Sequence, residues 1–391
     1  MRTATGLVCA FLFACAHAAP FTPPDDSTIV EKLPGATDPA ARNVESLRRQ
    51  LVARPGDTAL RLEIARRYFD LAMAQGDPRY VGYAFAAIGP IEGSAQGNAR
   101  YWLVKGLLQQ YSHDFASAMT SLGKASELDP NAIEPIAWRA AIDMVEARYA
   151  DAENECRRLV PIAPVLLARS CDAFVQAATG QLRQAYQGLQ AVLAAQSDAS
   201  PGLVLWVQNR LAEMAARLQL TEEAERHYQA ALKQGITDQF LLGSYADFLL
   251  AQGRPREVLG LLDGWERSDV LLLRLALAGE AAKDSRAKGW AQQLADRFSD
   301  AAKRGDKLHE QEAARFALDI EGDAHKALVL AASNYAKQKE PRDAEILMRA
   351  ALAAHDAKAA QPALDWLRKS GYEDPALAKL AGQLAQAGAT R

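Results

Sequence analysis

Only four cysteines, six histidines and 7% aromatic residues occur among 391 residues, and several functional classes fall away with them. No His-x3-His, His-Glu-x2-His or Cys-x-x-Cys spacing is present, so neither a zinc-protease helix nor a metal knuckle is encoded. No Gly-x-Ser-x-Gly, Walker-type or Gly-x-Gly-x-x-Gly loop appears, which removes the common nucleophile elbow and phosphate cradles. Basic residues are spread along the chain without a dense stripe and the formal net charge is −3, unlike the footprint of a nucleic-acid binder. Stretches such as Lys303-Arg304-Gly305-Asp306-Lys307 mix both signs, whereas a helix lying on a membrane carries a one-sided Lys/Arg excess. β-Branched runs are scarce while alanine and leucine dominate, so the composition favours helix throughout. No catalytic, metal or cofactor site is expected, and His309-Glu310-Gln311-Glu312 is taken as a solvated helical face.

What is present begins with a targeting signature. Arg2 starts a short positive end, Thr3 to Ala16 are apolar, and Ala16-His17-Ala18 has the small-x-small form of a cleavage site. Residues 1–18 are expected to be a signal peptide, and Pro20, Pro23 and Pro24 end the apolar run too soon for a comfortable membrane span. Export, most simply to the periplasm, is the expectation. Leu12-Phe13-Ala14-Cys15 offers an alternative, a lipobox that would make the protein an outer-membrane lipoprotein anchored through Cys15. Residues 19–42, rich in Pro, Asp, Thr and Gly, show no helical period and are expected to form an extended leader. With Cys9 and Cys15 removed, Cys156 and Cys171 remain. They flank the turn Val160 to Val165 almost symmetrically, so a disulfide between two antiparallel helices and a pair of buried free thiols are both open.

The strongest feature is a small residue that returns at Ala84, Ala118, Ala152, Ala185, Ala224, Val258, Ala327 and Ala360, at intervals of 34, 34, 33, 39, 34, 69 and 33 residues. A fixed period of this length marks helix pairs that bury their apolar faces only against neighbouring pairs. Trp102, Gly106, Phe115, Ala118, Leu122 and Pro130 form one unit, and Ala140, Tyr149, Ala152, Cys156 and Pro164 repeat it. Ala224, Tyr228 and Ala231 fit again, and the residues between Ala194 and Gly202 lengthen one loop. These residues resemble the tetratricopeptide repeat (TPR), whose pattern is Trp-x2-Leu-Gly-x2-Tyr, Ala-x3-Phe, Pro. The resemblance is clearest within residues 43–265 and degenerate within 266–391, where Pro375 to Ala387 is expected to cap the array. It implies an all-α, right-handed α-solenoid of stacked antiparallel helix pairs, eight or nine in number.

The resemblance also implies where a partner would sit. The first helix of each pair lines a concave groove, which places Arg66, Phe69, Arg100, Leu103, Leu107, Trp206, Asn209, Glu213, Phe240 and Asp247 along it. Aromatic and arginine side chains are the types that anchor protein or peptide ligands. The expected function is a non-catalytic scaffold or adaptor holding a segment of a cell-envelope partner. A lipoprotein serving an assembly machine and a small-molecule or glycan binder are the alternatives.

Overall fold

The computed structural model describes residues 39–389; the signal-peptide residues, Cys9, Cys15 and most of the leader lie outside the described residues. Helix α1 (Pro39–Ala53) begins four residues before the expected boundary at Asn43, with Pro39 in a first turn that needs no backbone donor. It packs on α2 (Thr58–Gln75), which pairs with α3 (Arg79–Ile88). Four further pairs follow: α4 (Ala99–Tyr111) with α5 (Phe115–Leu128), α6 (Ile133–Val145) with α7 (Tyr149–Leu159), α8 (Val165–Ala178) with α9 (Leu182–Ala194), and α10 (Pro201–Arg217) with α11 (Thr221–Leu232). Then come α12 (Gln239–Ala251) with α13 (Pro255–Leu261), α14 (Asp269–Ala282) with α15 (Ala287–Lys303), and α16 (Glu310–Phe316) with α17 (Ala324–Tyr335). The pair α18 (Pro341–Ala353) and α19 (Gln361–Ser370) is followed by a last helix, α20 (Pro375–Ala389). Among the described residues there is no strand.

The recurring small residue is the fourth of α5, α7, α9, α11, α13 and α17, and every copy from Ala84 to Ala360 is almost fully buried. Crossing helices approach closely only where such a side chain leaves room. On the facing helix of one pair even a methyl would be excessive: a Cβ on Gly106 would lie 2.7 Å from the Leu122 side chain. The 69-residue interval conceals one further copy. The fourth residue of α15 is Trp290, and the room for its ring comes from Gly279 on α14, where a Cβ would lie 3.0 Å from it.

Turns inside the pairs share one backbone solution. The residue two before the second helix adopts a left-handed conformation at His113, Ala147, Gly180, Gln219, Gly253 and Gly322, with φ between 56° and 81°. The next amide then bonds to a carbonyl five or six residues back, as in Asp114 to Gln109 and Arg148 to Asp143. Cys156 and Cys171 are joined in a disulfide that links α7 to α8, with Cα atoms 5.5 Å apart.

The array curls until units distant in sequence meet along a seam. The Gln338 amide donates to His113 Nδ1 at 2.8 Å, and the Lys339 amide to the Val145 carbonyl at 2.7 Å. Trp366 Nε1 donates to the Tyr149 hydroxyl at 2.8 Å, and the Leu182 amide to the Glu373 carboxylate at 2.7 Å. Arg217 donates to the Glu373 carbonyl while its guanidinium stacks 3.7 Å above the Tyr372 ring. Gly180 and Gly371, both left-handed, come so close that a Cβ on Gly180 would lie 3.3 Å from the Gly371 carbonyl oxygen. Gly76 is seated against Gln239 and Ser268 in the same way, whereas the left-handed Gly235, Gly253, Gly264, Gly305 and Gly322 have nothing near.

Candidate interaction surface on the inner face

Residues two units apart in a stack touch only on the inside of its curve, and several pairs of first helices do so. Arg66 on α2 donates to Glu134 on α6 at 2.7 Å, and Phe69 meets the Trp138 ring edge-on with centroids 5.9 Å apart. Farther along, Asp247 on α12 accepts from Arg274 on α14 at 2.6 Å and from Arg315 on α16 at 2.7 Å. The first helices therefore form the concave wall. Together with the small fourth residue of the second helices, this wall decides the architecture. The fold is that of a tetratricopeptide-repeat solenoid.

Three solved structures are similar to this array in fold. The APC/C hetero-tetramer Cut9-Hcn1 matches at 14% identity with a TM-score of 0.40, over 80% of this chain and 52% of that one. The chain thus spans about half the length of that relative. Naa15/Naa10 bound to HypK-THB matches at 15% identity and a TM-score of 0.28, covering 89% of this chain and 64% of that one. The P58(IPK) TPR domain matches at 12% identity and a TM-score of 0.23, covering 89% and 98%. No protein-family model and no curated protein matches.

Along the wall the expected partner-binding residues separate into four groups. Phe69 and Asn209 are 3% and 4% exposed, and Leu107 is wholly buried. Phe69 and Leu107 belong to the core around α2 and α4, where their apolar surface is already covered, so none of the three presents a side chain to a partner. Leu103, half-buried, bridges the cores on either side of α4. Arg100 and Phe240 are exposed; Arg100 is paired with Glu63, and Phe240 stands at the second position of α12.

The remaining residues gather on the wall. Trp206 and Glu213 on α10 flank Arg210, a residue the repeat pattern does not mark. Its guanidinium lies 4.7 Å from the Phe174 ring centre and 5.9 Å from that of Trp206, and it donates to Glu213 at 2.8 Å. Ser244 donates to the other Glu213 oxygen. Arg210 Nε and the neighbouring Asn209 Oδ1 have no hydrogen-bond partner, a costly state for buried polar atoms.

Beyond α12 the wall turns ionic. Burial alone would raise the Asp247 carboxyl, but Arg274 and Arg315 outweigh it and hold its pKa at about 2. Arg349 continues the chain of charges by donating to Asp319. Besides Asp247, which the repeat pattern places on the groove, the ladder's sequence signal is that Arg315 and Arg349 stand one repeat period apart. His309 and Glu312 depart from the expected solvated face: largely buried and 3.8 Å apart, they form an ion pair whenever the imidazole is protonated. Burial opposes charge on both, yet Glu312 raises the imidazole pKa, while His309 with Arg274 and Arg342 holds Glu312 at about 2. Among the described residues no group of three or more His, Cys, Asp or Glu is placed to hold a metal, and no helix is long and apolar enough to cross a membrane.

Proposed function

We propose that the chain is a protein–protein interaction scaffold that holds an extended segment of a partner along its inner wall. The observation that carries this reading is the Phe174–Trp206–Arg210–Glu213 cluster, where half-exposed rings, a guanidinium and a carboxylate stand together on the wall. A polypeptide supplies what that surface lacks: side chains to cover the half-exposed rings and acceptors for the guanidinium of Arg210. The mixed charge of the wall beyond α12 suits a partner segment that also carries both signs. The N-terminal signature supports placing the scaffold in a bacterial envelope, most simply the periplasm, with a lipoprotein anchored through Cys15 as the alternative.

The test is site-specific photocrosslinking in cells. A crosslinker replacing Trp206 should capture a small, reproducible set of envelope proteins, and one replacing the exposed Arg157 on α7 should not. Loss of the captured set in Arg210→Ala would tie it to the cluster. Equal capture from both positions, or none from Trp206, would remove the inner wall from consideration.

A further inference from the structure

The seam joins elements 156 to 225 residues apart in sequence, yet little holds it besides polar contacts. The buried core around α2 and α4 stays on its own side, and the C-terminal core is built from residues 314–384. Only the half-buried Ala147 and Tyr149 reach across into that C-terminal core. The other links described above are hydrogen bonds or one stacked guanidinium, and at Gly180 and Gly371 backbone lies on backbone with no side chain to interlock. Contacts of this kind belong to the low-stability end of a structure, where local opening precedes global unfolding. Both sides of the seam are internally well packed, so a link cannot lengthen alone. When the two sides part, the links break together.

We propose that the seam is a clasp that opens and recloses as one unit while the helix pairs on either side stay folded, and that its closed form restricts entry to the inner wall. The opening stands independently; its effect on access rests on the inner-wall reading above. Separation of the two sides requires only small rotations summed over the intervening pairs, the shear-type motion available to stacked helices. The glycines fit this role. Both Gly180 and Gly371 have positive φ, and Gly180 lies tight against the Gly371 carbonyl, so the chain meets backbone to backbone and gives up side-chain packing at that point of the seam.

Hydrogen exchange on the full chain tests the clasp without any partner. The amides of Leu182 and Lys339 both donate across the seam, to Glu373 and Val145 respectively. Glu373→Ala removes the acceptor of Leu182 only. A cooperative clasp then predicts that the Lys339 amide also exchanges about tenfold faster, while amides inside α9 and α18 keep their protection. In Gln338→Ala, which deletes the His113 link, the Leu182 amide should accelerate in turn. Acceleration confined to the residue next to each substitution would overturn the proposal. So would seam amides that exchange only with global unfolding. A failed crosslinking experiment would leave these exchange patterns unchanged, so the two readings fall separately.

Discussion

The pairs α4–α5 and α14–α15 meet the same demand, a close crossing of two helices, by different distributions of bulk. In the first, Ala118 is the small residue at the crossing and Leu122, one turn on, fills the space left by Gly106. In the second, Trp290 occupies the small position itself and Gly279 yields to its ring. What the repeat specifies is the summed volume at the crossing, shared between two helices in either proportion. The inner wall differs along the same axis. Its earlier part gathers rings around one arginine, whereas its later part is a ladder of paired charges running from Asp247 to Arg349.

Four substitutions probe that contrast. Trp290→Ala should cost about 3–5 kcal/mol in denaturant unfolding, because it empties a site that no neighbouring alanine can fill. A loss below about 1 kcal/mol would mean that Trp290 is not the missing copy of the repeat. In the earlier part, Cys156→Ser should cost up to about 3 kcal/mol, the order expected for a cross-link enclosing a loop of this length. Reductant should destabilise the unmodified protein and leave the Cys156→Ser, Cys171→Ser variant unchanged.

The third substitution concerns pH. The Glu312 pKa is depressed on folding, so its stabilisation is present above the unfolded value of 4.5 and fades as pH falls toward about 2. The His309 pKa is raised, so its contribution is complete below 6.5 and fades as pH rises through the folded value. The pair therefore contributes most between about pH 4.5 and 6.5. Glu312→Gln should cost about 1–2 kcal/mol in that window and flatten the curve on both sides; an unchanged pH profile would remove the pair from the stability of the later half. The smallest effect belongs to His355, which carries φ 55° at an exposed turn. His355→Gly relieves a left-handed side chain and should raise stability by about 0.5–1 kcal/mol, an increment measurable as a shift in denaturant midpoint.

Much of this was legible beforehand. The period located the helix pairs through α13, because a buried small residue at a crossing cannot be exchanged freely and so stays visible. The last helix begins at Pro375, where the turn residues put it. The 39-residue interval, however, comes mainly from α10, with 17 residues against 13 in α4 and α6, and the loop before Pro201 is no longer than the one between α11 and α12. Trp290 escaped because a repeat read through one helix at a time does not show that Gly279 opposite makes room. His309 and Glu312 escaped for a related reason: on a single helix a buried ion pair and a solvated one have the same letters, and only the neighbouring wall supplies Arg274 and Arg342. Arg210 lay beside Asn209 and Glu213, yet its significance depends on Phe174 from the preceding unit. Each miss is a property of two units together, which a single period cannot carry.

The contact of Gly180 with Gly371 has one more consequence. A stack whose units touch only their neighbours can gain or lose a unit almost anywhere and remain a stack. Here a unit of 34 residues inserted between these glycines would carry one of them a whole step past the other, and the Glu373, Trp366 and Gln338 links would miss their partners at once. The number of repeats is therefore part of what the sequence must specify, as the number of staves is fixed in a closed barrel.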